Sequence, residues 1–244
     1  MTTPGERFMT RLVPACTVRG MADQGNLEAP VAEVTAAWER IEQWLCARAP
    51  ASATLLRPAA SDADFTAVEE AIGVAFPPAL RAWYSLHDGV DDPEAGKSLW
   101  PAGFLPGDQG WYRLEQVESN YIMHTRDWER EPGRIPISCT PGDMWHGLYI
   151  DARPDEPPYG RLGRWTVDRE PEPIPTSTLG WPLEVWLTEQ ADALEQDRCL
   201  TEPGGWRDED NWPAVTVCGG LAWVAPGEEP PRPEGRILLG GGPR

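Results

Sequence analysis

With 244 residues the chain can build one substantial core, and a second full domain would be cramped, so one domain with appendages is expected. Its 21 Lys and Arg stand against 39 Asp and Glu, a formal net charge of −18 that repels phosphate backbones and anionic membranes and draws basic partners from a distance. Nucleic acid and membrane are therefore not expected as partners, although the same charge would also serve plain solubility.

Residues Met1 to Gly20 carry Arg7, Arg11 and Arg19 without a continuous apolar stretch, which makes a poor signal peptide. Met21 could itself be a native start, and residues 1–25 are expected to be disordered or spurious. The five cysteines, Cys16, Cys46, Cys139, Cys199 and Cys218, are odd in number and scattered, with neither a disulfide framework nor a zinc spacing. No apolar run approaches the ~20 residues of a membrane-spanning helix. A reducing cytoplasm is the expected compartment.

From Val31 to about Arg48 the apolar positions Val31, Val34, Trp38, Ile41, Trp44 and Leu45 recur on one helical stripe, and Ala49-Pro50 ends it. Ser61 offers an N-cap oxygen with Asp64 three residues on, so a helix is expected to start there, with Phe65, Val68 and Ile72 inward and Gly73 as its left-handed stop. Pro77-Pro78 suits entry into a second helix, on which Leu80, Trp83, Tyr84 and His87 share a face until Asp88-Gly89.

Asp91, Asp92 and Glu94 then mark an exposed acidic loop, and Ser98 to Leu105, with Trp100, predicts a short strand. A helix is expected from about Glu115 to Arg130, stopped by Pro132-Gly133. Strands are expected at Arg134–Ser138, Trp145–Asp151 and Tyr159–Val167. The loop between the last two carries Asp155 and Glu156, and Pro171 to Pro175 reads as a linker. Thr176 or Ser177 could cap a last helix, about Leu179 to Asp197, and Gly219-Gly220 signals a hairpin between Ala214–Cys218 and Leu221–Ala225.

The arrangement Glu69-x-x-Ile72-Gly73-x-x-Phe76-Pro77-x-x-Leu80-x-x-x-Tyr84-x-x-His87-Asp88-Gly89 resembles the signature of the SUKH superfamily, from about Val31 to about Asp197. Phe76 stands where members often have Leu, and Pro58 stands alone where they often have two prolines. The superfamily includes the fungal cell-wall-synthesis regulator of the Smi/Knr type and many bacterial immunity proteins paired with secreted toxins. The resemblance implies a non-catalytic protein that binds and neutralises a toxin, or alternatively an intracellular regulator or scaffold of wall assembly.

Chemistry is sparse in the sequence. There is no Gly-x-Ser-x-Gly elbow, and Gly160-x-x-Gly163 lacks the Lys-Ser/Thr of a phosphate loop. His87, His124 and His146 show no metal spacing. His87-Asp88 could work as acid and base, yet a helix end followed by a turn explains it better. No catalytic residue, cofactor or metal is expected.

The fold class expected is α+β: a mostly antiparallel or mixed sheet with helices packed against it over residues 26–200. A hairpin extension would occupy 201–226 and a flexible tail 227–244. Glu69, Ile72, Gly73, Phe76, Pro77, Leu80, Tyr84, Asp88 and Gly89 are expected to build that fold. The partner, expected to be a basic toxin domain, should meet Asp91, Asp92, Glu94, Trp100, Asp155 and Glu156, with the protein a monomer or weak oligomer.

Overall fold

The computed structural model of the chain describes residues 24–92, 99–142, 144–175, 178–200, 212–225 and 227–229. It is α+β, with six α-helices and three antiparallel sheets among these residues. Helix α1 (Gln24–Arg48) begins seven residues before the periodicity predicts, inside the segment expected to be disordered. Val34, Ala37, Trp38, Ile41 and Leu45 form its buried stripe. A single turn, α2 (Pro50–Ala53), follows with Pro50 at its first position.

Helix α3 (Asp62–Ile72) starts on the expected cap. The Ser61 hydroxyl accepts from the Asp64 amide at 3.3 Å, and the Asp64 carboxylate accepts from the Ser61 amide at 2.8 Å. Gly73 ends it at φ 70°. Glu69 then ties the next turn: one carboxylate oxygen accepts from the Phe76 amide at 2.8 Å, the other from Arg81 at 3.1 Å. The Arg81 guanidinium lies 4.3 Å from the centre of the Phe65 ring, so the same contact covers the core edge.

Helix α4 (Pro78–Tyr84) is shorter than predicted. Leu80, Trp83 and Tyr84 are buried as the stripe requires, but the chain turns at Ser85–Leu86 and His87 lies beyond the helix. The physical reason is a competing set of bonds. Asp88 donates its amide to the Pro58 carbonyl at 2.9 Å, and the Asp88 carboxylate accepts from the Leu114 amide at 2.8 Å. The Gly89 carbonyl accepts from the Arg57 amide at 3.1 Å, and the Tyr84 hydroxyl donates to the Tyr112 carbonyl at 2.9 Å. Three chain segments, 55–60, 84–91 and 110–114, are thereby clasped together.

Strand β1 (Gly110–Trp111) leads into α5 (Leu114–Ile122), whose first amide is the one that Asp88 accepts from. The Gln116 side chain closes back on the Arg113 amide at 3.0 Å. The helix predicted to Arg130 widens instead into a π turn at Met123–Asp127, and Glu129 takes φ 51°. Trp100 also departs from expectation. Pro101 favours a tight turn over a strand, and Trp100–Ala102 is a 3₁₀ turn.

The predicted strand at Arg134–Ser138 divides between two sheets. Strand β2 (Arg134–Pro136) pairs with β4 (His146–Asp151), whereas β3 (Ser138–Cys139) pairs with β1. Between them Ile137 donates to Leu148 and accepts from Tyr112, both at 2.9 Å, and so bridges the sheets. The four-stranded sheet runs β2-β4-β5-β6, with β5 at Leu162–Thr166 and β6 at Glu172–Pro173, inside the segment predicted as a linker. Helix α6 (Leu183–Gln196) starts after Pro182, later than predicted, and packs along α1, which also meets α4. Thr176 and Ser177 lie outside the described residues, as do 1–23, 201–211 and 230–244.

Strands β7 (Trp212–Val215) and β8 (Leu221–Val224) form the C-terminal hairpin, with a five-residue loop Thr216–Gly220 in place of the two-residue turn that Gly219-Gly220 suggests. Ser52 accepts from the Leu221 amide at 3.1 Å, and the Trp223 indole donates to the Phe104 carbonyl at 2.8 Å. Sequence-distant segments are thus bonded at both ends of β8. The core itself is aromatic. Trp83 and Trp111 stack at 4.0 Å with 11° between planes, and Trp38 meets both edge-on at 5.6 and 5.0 Å. A second aromatic cluster buries His124, stacked on Trp128 at 4.5 Å and edge-on to Trp165 at 4.6 Å.

Two predictions follow from this packing. A Cβ on Gly89, at φ 67°, would sit 2.4 Å from the Tyr112 carbonyl oxygen, whereas one on Gly73, at φ 70°, would meet nothing within 4 Å. Gly89→Ala should therefore cost about 2–4 kcal/mol in urea unfolding, and Gly73→Ala only about 1 kcal/mol. Equal losses would contradict the close approach. Burial, and secondarily the nearby Arg130 charge, push the His124 pKa down from 6.5 to about 3. Its stability contribution is present above pH 6.5 and is lost as pH falls toward 3, by at most about 1.4 kcal/mol per pH unit. His124→Phe should hence show a shallower acid loss than the parent when unfolding free energies are compared between pH 7 and 4. Parallel curves would place the proton elsewhere.

Candidate functional site: an acid-rich surface

Of the 21 basic residues twenty are Arg, and their placement decides which acids are left to solvent. Arg40 holds Asp192 and Glu195 at 2.6 and 2.5 Å, joining α1 to α6. Arg81 holds Asp62 and Glu69, Arg153 holds Asp151 and Glu131, Arg164 holds Glu172, and Arg198 holds Glu189. The more exposed of these, such as Arg40 with Glu195 and Arg81 with Asp62, add little stability singly, whereas the Asp151 carboxylate under Arg153 is buried. The effect of the pairs on the surface is larger: among the described residues many arginines are neutralised at short range by acids of the same chain, and the carboxylates left over face solvent with the negative net charge.

The residues expected to meet a partner divide on this basis. Asp91 is half exposed and bonded to Arg57 at 2.5 Å, and Asp92 lies 3.8 Å from Arg113. Both acids therefore face an arginine of their own chain. Glu94 lies outside the described residues. Trp100 is partly buried in its 3₁₀ turn. Asp155 and Glu156 are exposed on the turn between β4 and β5, and no ion pair among the described residues engages them.

The two acidic stretches are not brought into one patch. Tyr159, Gly160 and Arg161, which follow Asp155-Glu156, line a cleft with Pro77, Pro78 and Ala79 at the start of α4. Asp91 and Asp92 lie with Arg57 and Arg113, beyond the end of that helix. Sequence reasoning missed another exposed feature. Met144 and Trp145, 53% and 67% exposed, stand at the turn before β4, where Trp145 was expected to open the strand. Their neighbours Pro141-Gly142 carried the signal, since large apolar residues in a turn have no sheet face to occupy.

His87 and Asp88 do not form an acid–base pair. The His87 Nδ1 contacts the Arg57 carbonyl and its Nε2 lies 3.3 Å from Glu42, while Asp88 accepts from Leu114 and Arg57. Each polar atom is turned to a neighbouring segment, which is the geometry of a joint. Among the described residues no group of three His, Cys, Asp or Glu is arranged to hold a metal, and no helix is long and apolar enough to cross a membrane.

No curated protein matches the chain. A family model, that of the SMI1 / KNR4 family (SUKH-1), matches residues 59–180, half of the 244. The matched segment is shorter than the Val31 to Asp197 range that the motif suggested. It opens two residues before the Ser61 cap and contains α3, α4, the Asp88-Gly89 joint, α5 and the whole four-stranded sheet, leaving α1, α6 and the hairpin as flanking elements packed onto it. Motif, fold and family model thus coincide on one segment, and the chain belongs to the SMI1 / KNR4 family (SUKH-1).

Proposed function

We propose that the chain is a non-catalytic binding module that neutralises a cognate toxin by docking to it. The observation that carries this reading is the surface charge: a chain of net charge −18 holds many of its arginines in internal ion pairs and leaves acids such as Asp155 and Glu156 outward. A basic nucleic-acid-cleaving domain would be steered toward such a surface, which stands in for the phosphates it otherwise engages. Family membership supports the class of function, since immunity proteins and the fungal wall regulator both act by binding. The arrangement around His87-Asp88 supports a structural use of those two residues in place of catalysis.

The contact surface proposed is the Asp155-Glu156 turn; the Asp91, Asp92, Glu94 loop with Trp100, which does not share that patch, is the other acidic edge a partner could meet, and the exposed Met144-Trp145 pair stands at the opposite end of β4 from the turn. Asp91 and Asp92 hold Arg57 and Arg113, so reversing their charge would disturb the clasp as well as the surface.

Co-expression with the toxic product of the neighbouring gene should restore growth. Absence of rescue together with altered wall composition on deletion would favour wall regulation instead. With that toxin in hand, the double change Asp155→Lys and Glu156→Lys should slow association on the order of tenfold at low salt and flatten its salt dependence, measured by stopped flow. An unchanged rate and slope would remove this turn from the interface.

A further inference from the structure

The turn after α5 builds a second site that the docking function does not use. His124 is 5% exposed, and its Nε2 has no hydrogen-bond partner. The same is true of Nη1 of Arg130 and Nε of Arg134, both buried atoms. All three side chains line one small cavity together with Thr125, Glu131, Tyr149, Trp165 and Pro171. An unmade hydrogen bond on a buried polar atom costs about 1–3 kcal/mol, and more on a charged group, so three converging on one space point to something that accepts from them.

Local geometry fixes the trio. The π turn and the left-handed Glu129 fold Arg130 back so that its amide donates to the His124 carbonyl at 3.0 Å, and its Nη2 donates to the Thr166 carbonyl. Arg134 is anchored by Glu131 at 3.1 Å, with Asp151 at 4.0 Å. A guanidinium N–H can only donate, and His124 adds a third donor in the tautomer that carries its proton on Nε2. The occupant must therefore be an acceptor. The cavity volume of about 10 Å³ suits a single oxygen atom. It shares the walls Arg130 and Glu131 with an open groove of about 480 Å³, where Trp128, Asp168 and Glu170 also lie. Glu129, Glu131, Asp168 and Glu170 on these walls penalise a doubly charged ligand, while N–H groups without an acceptor hold a singly charged oxygen more strongly than neutral water.

We propose that this cavity is a carboxylate socket: one oxygen enters among His124, Arg130 and Arg134, and the rest of the ligand lies in the groove beside Trp128. Burial of the Arg130 guanidinium, which lowers its pKa, agrees with a site that gains from an added negative charge. The source of the carboxylate is either a free small acid or a side chain of a peptide.

The test uses the full chain at constant ionic strength, with sodium acetate replacing sodium chloride. Melting temperature and the Arg134 Nε–H resonance are followed together. Acetate should raise the melting temperature saturably and move that resonance, and Arg130→Gln should weaken the response on the order of tenfold. Sulfate should bind more weakly than acetate. An N-acetylated, C-amidated Gly-Glu-Gly peptide separates the sources: saturation at lower concentration than acetate assigns the socket to a protein side chain, and saturation by acetate alone assigns it to a small acid. Equal responses of the parent chain to acetate and chloride would overturn the proposal without recourse to any variant. So would an Arg130→Gln chain that responds like the parent.

Discussion

The carboxylate of Asp88 holds the rest of the fold in register. It accepts from the first amide of α5 across 26 residues of sequence, and the residue after it is a glycine pressed against the Tyr112 carbonyl. A helix start normally finds its acceptor in the residue just before it. Here it is found in a turn that follows a different helix, so α5 cannot form its capped end until the segment after α4 is in position. The Tyr84 hydroxyl, the Pro58 carbonyl and the Arg57 amide complete the same joint. Residues that a chemist would scan for proton transfer thus serve to fix three backbone segments.

Arginine usage extends that logic to the surface. A planar guanidinium can reach two acids at once, as Arg40 does on α6 and Arg153 does with Asp151 and Glu131. The pairs join elements that are distant in sequence, and they leave a net negative exterior whose unpaired acids are set by where the arginines are not. The proposed carboxylate socket is the local exception, a place where buried guanidinium N–H groups have no hydrogen-bond acceptor.

Much of the scaffold was legible in the sequence because its signals are local. Ser61 and Asp64 encode a helix start within four residues, Gly73 a stop, and the α1 stripe repeats over enough turns to be unmistakable. The end of α4 was not legible, since His87 continues the periodicity and the helix is ended only by the bonds that the next residue, Asp88, makes with Pro58 and Leu114, both distant in sequence. The split of residues 134–139 between two sheets has the same origin, with partners supplied by β1 and β4. Periodicity likewise cannot announce a π turn, which keeps apolar spacing while shifting the face. The acids at Asp91 and Asp92 were visible as exposed charges, but their arginine partners at 57 and 113 were not, because ion pairing across such separations leaves no mark in spacing.

The tryptophan stack at the centre carries an optical consequence. Trp38, Trp83 and Trp111 come from α1, α4 and β1, three elements that touch only once the chain has collapsed correctly, and two of the indoles lie 4.0 Å apart with nearly parallel planes. Transition dipoles at that spacing couple, so the aromatic circular dichroism of this protein carries an exciton contribution from a few of its 13 indoles. Such a signal vanishes when fixed packing is lost even if helices persist. The molecule therefore contains its own reporter for the docking of β1 onto the helical layer, readable without any attached dye.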